Sequence, residues 1–220
     1  MSHLILGDCL EVMKDIPDKS IDLVLTDPPY GIGYDKKVSS APKKKAGDEL
    51  AFRKSYGNTN WDDKIPEKKV FDEILRVSKH QIIFGGNYFI NYLHNTSCFI
   101  VWDKVNGENA YADCEMAWTN FKTATRKITY RWHGMLQQNM KEKETRYHPT
   151  QKPVDLFAII LEMYAKKEWS ILDPFAGSGT TGLACHRLGI EDYTLIEKEP
   201  KYYEIAKQRI EQAESQLHLF

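Results

Sequence analysis

The sequence has few cysteines, no long apolar run and almost no net charge. Each of these absences narrows the range of functions that the protein can have. Four cysteines among 220 residues, with no CxxC spacing, argue against a disulfide framework and a structural zinc site. They predict a reduced, cytoplasmic chain. We find neither the run of about 18 apolar residues expected of a membrane span nor the basic leader of a secretory signal. With 42% hydrophobic and 28% charged residues, the composition indicates one medium-sized globular domain over residues 1–220.

Positive charge is unevenly distributed, although the net charge is only −1. Residues 122–152 contain eight Lys or Arg and two acidic residues, and "KKVSSAPKKK" adds five lysines. Such segments can present one basic face to a polyanion, while the alternative is an ordinary solvated surface of mixed charge. The candidates for DNA contact are Lys36, Lys37, Lys43, Arg126, Arg131 and Arg146.

The order of apolar segments predicts an α/β protein. Short branched-residue runs such as "SIDLVLTD" alternate with helical patterns, which is typical of a mostly parallel sheet covered by helices. Residues 31–60 lack periodicity and predict a functional or mobile loop. In the middle segment, about residues 105–147, "EMAWTNF" and "KITYRWH" predict two strands, paired antiparallel at the sheet edge. A short helix is expected through "NYFINYL".

A glycine-rich turn joins a strand to a helix in "SILDPFAGSGTT". Gly177 and Gly179 allow close approach of a ligand to the backbone, and the helix that follows offers unpaired N–H groups. Glu197, at the end of the next strand, is placed to accept ribose hydroxyls. No lysine follows as in a P-loop, and "GSGTTG" matches the letters of a dinucleotide turn. Asp173 before the turn disfavours a pyrophosphate, however, so the pattern indicates S-adenosylmethionine.

A second motif, "DPPY", follows the strand "IDLVLT" directly. Asp27 is an acceptor, Pro28 and Pro29 stiffen the backbone and fix the aim of the Pro28 carbonyl, and Tyr30 adds a flat ring. Two acceptors can localise the lone pair of an exocyclic amine, and the ring can stack on an extruded base. Taken alone, this motif is equally consistent with a structural turn.

With "DPPY" at 27–30, "HPTQKP" at 148–153 and "DPFAGSGTT" at 173–181, the chain resembles the amino-methylating DNA methyltransferases. The order of the motifs matches their circularly permuted beta group. The resemblance implies a Rossmann-like fold with a mostly parallel seven-stranded sheet, one reversed strand and helices on both faces. It also implies that the middle segment is a small target-recognition insertion.

The resemblance further assigns roles to residues. Asp27, Pro28, Pro29 and Tyr30 are the expected catalytic residues. The expected cofactor-binding residues are Asp8, Cys9, Asp27, Lys152, Asp173, Pro174, Phe175, Gly177, Ser178, Gly179, Thr180 and Glu197. Lys152 is expected to border the cofactor pocket from its far side, and Asp8 to approach the adenine.

Several functional hypotheses remain open from the sequence. The first is methylation of an extruded adenine in a short specific sequence of double-stranded DNA. An Asp at position 27 favours adenine, because the cytosine enzymes of the family more often have Ser there. The rivals are the same reaction on cytosine, a non-catalytic regulator that binds DNA or cofactor, and an NAD-dependent oxidoreductase. A small recognition segment also suggests a homodimer, and such enzymes can have a cognate restriction endonuclease.

Overall fold

The computed structural model describes residues 2–33, 62–106, 112–133, 136–147 and 150–217. The predicted loop lysines Lys36, Lys37 and Lys43, and the first two residues of "HPTQKP", lie outside these ranges. The described strands are β1 Ser2–Leu6, β2 Ile21–Thr26, β3 Ser78–Phe84, β4 Phe99–Asp103, β5 Cys114–Thr119, β6 Arg126–Thr129, β7 Trp132–His133, β8 Leu136–Gln137, β9 Ile171–Asp173 and β10 Tyr193–Glu197. The described α-helices are α1 Cys9–Lys14, α2 Lys68–Val77, α3 Val154–Tyr164, α4 Thr180–Leu188 and α5 Pro200–Leu217.

One large sheet organises the molecule, in the order β1-β10-β9-β2-β3-β5-β4-β6. All of its strands run in the same direction except β5, which is antiparallel to both β3 and β4. The predicted α/β fold with one reversed strand is therefore confirmed. The sheet has eight strands where seven were expected, because β6 adds a parallel edge strand beside β4.

The expected antiparallel pairing of the two middle strands is wrong. β5 enters the sheet between β3 and β4, whereas β6 pairs only with β4. Burial explains this insertion, because Ala117 and Trp118 of β5 are at most 2% exposed and contribute to opposite faces of the sheet. The middle segment also contains a small hairpin of β7 and β8, which is separate from the large sheet.

Helices cover both faces of the sheet, as the alternation of buried side chains requires. On one face Val24 and Ile83 pack with Phe71 of α2. On the other face Leu25 and Ile82 pack with Phe157 of α3, and α4 and α5 add to this second layer. No helix in the described ranges is long and apolar enough to cross a membrane.

The segment after β3 forms two short turns in place of the short helix that was expected through residue 93. A 3₁₀ helix covers Gly86–Tyr88, and in the turn that follows the Tyr92 N–H donates to the Phe89 carbonyl. The N–H of Tyr88 donates to the Gly85 carbonyl, and Gly85 adopts a φ of 69°. The turn thus bends the chain sharply, and Phe89 is buried against Phe71 instead of extending a helix.

Candidate active site

The two sequence motifs lie side by side at the carboxyl edge of the sheet. β2 and β9 are neighbours, with Val24 opposite Leu172. The Thr26 hydroxyl donates to Asp173 Oδ1 at 2.7 Å, so the residue before "DPPY" contacts the first residue of "DPFAGSGTT". One cavity of about 700 Å³ borders both motifs. Strand order therefore brings together two segments that lie almost 150 residues apart in sequence.

Most of the predicted site residues line this cavity. They are Asp8, Cys9, Asp27, Pro28, Pro29, Tyr30, Lys152, Asp173, Pro174, Phe175, Gly177, Ser178, Thr180 and Glu197. Gly179 is the predicted cofactor residue that does not line it. A Cβ atom at Gly179 would lie 3.1 Å from the Cβ of Ala206, so this glycine instead permits close packing of α5.

The loop after Asp27 is held by a carboxylate that the sequence did not reveal. Asp62 Oδ1 accepts hydrogen bonds from the N–H groups of Tyr30 and Gly31, each at 2.9 Å. Asp62 is only 3% exposed and is separated from the loop by about thirty residues of sequence. No local pattern could have identified this partner.

Tyr30 is positioned by its neighbours on the turn after β3. Its ring stacks on Tyr88 with a centroid distance of 4.9 Å and an interplanar angle of 13°, and Phe89 contacts it edge-on. A Cβ atom at Gly85 would lie 2.2 Å from Tyr30 Cε1, so only glycine leaves room for the ring. Tyr88 therefore covers one face of the Tyr30 ring.

Asp27 belongs to a network of charged groups. Lys152 Nζ donates to Asp27 Oδ2 at 2.5 Å, and the Tyr30 hydroxyl donates to Asp27 Oδ1 at 2.5 Å. The same ammonium lies 3.1 Å from Glu115 Oε2, and Lys104 pairs with the other oxygen of Glu115. Lys152 is thus a direct partner of the predicted catalytic carboxylate. Glu115, on the reversed strand β5, was not predicted.

Burial and charge set the protonation of this network. Burial raises the pKa of Asp27 above its ordinary value, although the Lys152 ammonium opposes this effect. Burial alone would lower the pKa of Lys152, but the Asp27 and Glu115 carboxylates raise it. Burial likewise opposes ionisation of Glu115, yet Lys152 and Lys104 lower its pKa to about 2. Lys152 therefore carries a positive charge and Glu115 a negative charge at neutral pH.

The glycine turn is open towards the cavity, and Glu197 accepts a hydrogen bond from its backbone. Gly177 has a φ of 53°, and a Cβ atom there would meet no other atom within 4 Å, so the turn is open on that side. The Gly177 N–H donates to Glu197 Oε2 at 2.7 Å, and the Glu199 N–H donates to Oε1 at 2.7 Å. Burial raises the pKa of Glu197 to about 7.

The Asp173 carboxylate is occupied by protein groups. It accepts hydrogen bonds from the hydroxyls of Thr26 and Thr181 and from the Phe175 N–H. These contacts join β2, β9 and the start of α4, whereas the sequence suggested contact with a cationic or amino group of the cofactor. Burial raises the pKa of Asp173 to about 6.

A buried polar network attaches the segment before α3 to the glycine turn. Gln151 Oε1 accepts from the Ser178 hydroxyl at 3.1 Å, and Thr180 donates to the Lys152 carbonyl. From α5, Arg209 donates to the Ser178 carbonyl at 2.6 Å and pairs with Glu144 Oε1 at 2.9 Å. The network explains why Lys152 lies in the same cavity as the glycine turn.

Asp8 and Cys9 form the third side of the cavity. Asp8 caps α1 by accepting from the Leu10 N–H at 2.9 Å, and Lys198 donates to its other oxygen at 2.9 Å. The Lys198 hydrogen bond lowers the pKa of Asp8, so the carboxylate is ionised at neutral pH. Cys9 is buried at the start of the same helix.

The described basic candidates lie in different places. Arg126 begins β6 opposite Ile100, near the amino end of β4 and away from the cavity edge. Arg131 follows the carboxyl end of β6 and is exposed. Arg146 places its guanidinium 4.4 Å from the centre of the Trp132 ring. Of these three, Arg131 and Arg146 belong to the segment between β6 and α3.

Comparisons with known proteins agree with this geometry. The model of the DNA methylase family N6_N4_Mtase matches residues 21–208. The type II methyltransferase M.HinfI of Haemophilus influenzae is 27% identical over 255 residues, which cover 96% of this chain and 68% of the relative. The type II methyltransferase M2.MboI of Moraxella bovis is 25% identical over 92% of this chain and 85% of the relative.

Two solved structures share the fold. The M1.HpyAVI–SAM complex superposes with a TM-score of 0.57 at 24% identity, covering 95% of this chain and 100% of that chain. The PvuII DNA methyltransferase, described as cytosine-N4-specific, has a TM-score of 0.59 at 16% identity and covers 98% of this chain and 92% of that chain. The central sheet and its helices thus belong to a fold found in DNA methyltransferases.

Proposed function

The chain belongs to the DNA methylase family N6_N4_Mtase, and on this premise we propose that it transfers a methyl group from S-adenosylmethionine to the exocyclic amine of adenine in a short DNA sequence. The carrying observation is the shared cavity, in which Asp27 and Gly177 lie on adjoining walls. A methyl donor held by one wall can then approach an amine held by the other.

The cavity fits such a donor. Its volume of about 700 Å³ is within the usual range of small-molecule sites. Glu197 and Asp8 are carboxylates that can accept ribose hydroxyls and polar groups of an adenosine. Gly177, where a side chain would enter open space, leaves its backbone accessible to a ligand. Asp173 affects cofactor binding indirectly, because its hydrogen bonds hold the glycine turn in place. Lys152 lines the cavity beside Asp27.

The residues of the catalytic loop then prepare the amine. S-adenosylmethionine supplies an electrophilic methyl group on a sulfonium. Asp27 and the Pro28 carbonyl accept the two N–H groups of the target amine and draw its lone pair out of conjugation with the ring. Pro29 fixes the backbone, and Tyr30 stacks on the base. No histidine base is needed, because the lone pair of the amine would attack the methyl carbon first. The carbon–sulfur bond would break to leave a neutral thioether, and the methylated amine would then pass its proton to Asp27. Catalysis consists mainly of positioning and electrostatics.

Adenine is preferred over cytosine on the identity of one residue. Asp27 matches the adenine-methylating enzymes of the family that the sequence resembles, whereas the cytosine-methylating enzymes more often have Ser at this position. The likeness to a cytosine-N4-specific structure keeps cytosine as the second candidate, although that likeness shows the fold alone. In either case the base must leave the duplex, at a cost of a few kcal/mol.

DNA contact is proposed for the basic residues outside the cavity. Arg131 and Arg146 come after β6, whose carboxyl end lies at the same edge of the sheet as the cavity. The lysines Lys36, Lys37 and Lys43 belong to the segment after "DPPY". Arg126, at the far end of β6, is the weakest candidate by position. The middle segment, about residues 105–147, remains the proposed small target-recognition insertion within a single domain, although its strands β5 and β6 belong to the large sheet. A homodimer and a restriction endonuclease partner are parts of the same proposal.

The test identifies the methylated base. The protein is incubated with labelled S-adenosylmethionine and DNA of mixed sequence, and the DNA is digested to nucleosides. We expect the label on N6-methyl-2′-deoxyadenosine. A label on N4-methyl-2′-deoxycytidine would overturn the base assignment, and the absence of label on any DNA would overturn the proposed function.

Replacement of Asp27 tests the proposed chemistry. We expect Asp27→Ala to lower the rate of transfer at least about 100-fold, because one of the two acceptors for the amine is lost. The affinity for S-adenosylmethionine, measured by calorimetry, should change by less than about threefold. The exposed Glu162→Gln variant is the control. A D27A variant with the parental rate would contradict the role of Asp27.

A further inference from the structure

Glu115 connects the cavity to a second lysine. Its side chain is 21% exposed on β5, with one oxygen paired to Lys104 and the other 3.1 Å from Lys152 Nζ. Lys152, only 5% exposed, lies between two carboxylates, since Asp27 Oδ2 is 2.5 Å away on its other side. Two lysines and two acids thus form a chain with no net charge.

This chain controls how strongly Lys152 holds Asp27. In a buried site the attraction between an ammonium and a single carboxylate is strong, because little water screens it. Glu115 shares that ammonium with Asp27. The Lys152 ammonium is within ion-pair distance of both acids. Its shortest hydrogen bond can therefore change from Asp27 to Glu115 without movement of the backbone.

The two oxygens of Asp27 are both occupied before a base arrives. Oδ1 accepts from the Tyr30 hydroxyl and Oδ2 from Lys152. An incoming amine competes with these two donors for Asp27. Both can also reach Glu115 Oε2, Lys152 Nζ at 3.1 Å and the Tyr30 hydroxyl at 3.4 Å, and Lys152 is the nearer of the two.

Resting on the proposed function, we propose that Glu115 is a positioning residue for methyl transfer, which draws the Lys152 ammonium from Asp27 and leaves a carboxylate oxygen for the amine of the target base. Neither Glu115 nor Lys104 contacts the base in this proposal. They act through Lys152, and the chemistry stays with Asp27.

The proposal predicts opposite changes in pH dependence. The charged groups that face Asp27 are Lys152, Tyr30, Glu115 and, from β9, Asp173, while Lys104 acts through Glu115. Burial is the main cause of the raised pKa of Asp27; the Lys152 charge lowers that pKa and the Glu115 charge raises it. Loss of Glu115 should therefore move the acid limb of the rate profile to lower pH, and loss of Lys152 should move it to higher pH.

The experiment measures single-turnover methyl transfer to DNA between pH 5 and 9 at saturating S-adenosylmethionine. We expect Glu115→Gln to lower the plateau rate about 10- to 100-fold, because Lys152 stays on Asp27, and to shift the acid limb downward. Lys152→Gln should shift it upward. Glu115→Asp should recover part of the rate, and Glu162→Gln should behave like the parent. The affinity for S-adenosylmethionine should be unchanged in E115Q.

Two further results keep the test decisive. If E115Q does not fold, Lys104→Met is measured in its place. Without Lys104, Glu115 attracts Lys152 more strongly, so the acid limb of the rate profile should move to higher pH. A parental rate in E115Q, or shifts of the same sign in all variants, would overturn the positioning role. A parental protein that methylates no DNA at any pH would instead overturn the proposed function.

Discussion

At the residue scale, two glycines with the same backbone conformation have different surroundings. Gly85 has a φ of 69° and Gly33 a φ of 61°, both in the left-handed region that favours glycine. A Cβ atom at Gly85 would overlap the Tyr30 ring, whereas one at Gly33 would meet no atom of the described residues within 4 Å. This pair separates backbone strain from displacement of the catalytic ring.

We expect Gly85→Ala to lower the methyl-transfer rate by at least about tenfold, because Tyr30 must leave its stack on Tyr88 and its hydrogen bond to Asp27. Gly33→Ala should lower stability by about 1 kcal/mol through strain alone, with a smaller effect on the rate. Single-turnover rates and thermal unfolding of both variants provide the comparison. Equal rates in the two variants would show that the ring does not depend on Gly85.

The sequence predicts which residues at the strand ends share one cavity, but it does not predict their remote partners. Asp27, Gly177 and Glu197 follow strands, and the carboxyl ends of parallel strands share an edge, so their common cavity could be expected. Glu115 reaches the site only through strand order, and Asp62 lies about thirty residues beyond Tyr30 in the sequence. A carboxylate at the start of the apolar run "EMAWT" was the one local signal for Glu115, and the sequence did not show which lysine it would meet.

At the scale of elements, α5 does more than cover the sheet. Arg209 is 9% exposed and donates to the carbonyl and hydroxyl of Ser178, while its other guanidinium nitrogen pairs with Glu144. Gln151 joins the same network through Ser178 and Glu144. The last helix therefore supports both the glycine turn and the segment that carries Lys152.

We expect Arg209→Met to weaken S-adenosylmethionine binding about tenfold, because the Ser178 carbonyl and Glu144 lose their donors. The free energy of unfolding should fall by about 1–3 kcal/mol for the same reason. Lys207→Met, an exposed change on the same helix, is the control. Calorimetric binding and urea unfolding measure the two effects, and unchanged cofactor affinity in R209M would show that the turn is rigid without this support.

The elements themselves were largely predictable, and their pairing was less so. The branched apolar run "SIDLVLTD" indicated β2, and the alternation of such runs with helical patterns indicated helices between the strands. The pattern of "EMAWTNF" also gave a strand, but alternation cannot say which neighbours a strand takes. β5 entered the sheet because Trp118 and Ala117 could be buried on its two faces, a gain that the local pattern does not show.

At the scale of the whole molecule, the buried acids of the cavity oppose stability at higher pH. Burial raises the pKa of Asp173 to about 6 and that of Glu197 to about 7, whereas such groups titrate near 4 in an unfolded chain. The folded state therefore binds protons more tightly. The resulting stabilisation is complete below about pH 4 and is lost as the pH rises through about 6 and 7.

We expect the free energy of unfolding of the cofactor-free protein to fall between pH 5 and pH 8, and Glu197→Gln to make this fall smaller. The contribution of Glu197 is on the order of 3 kcal/mol across its titration. Urea unfolding at several pH values gives the measurement, with Glu204→Gln, an exposed change on α5, as the control. An E197Q curve parallel to that of the parent would refute this assignment.

The place of β9 between β2 and β10 has a consequence for how the protein is made. β2 is synthesised early, yet one of its two neighbours in the sheet comes only after residue 170. The same is true of β1, whose partner is β10. Pairings between such distant segments form late and slowly. A nascent chain on the ribosome thus holds the residues proposed to bind the amine but lacks the strand and turn proposed to bind the methyl donor, and it can form the cavity only after its last third has emerged.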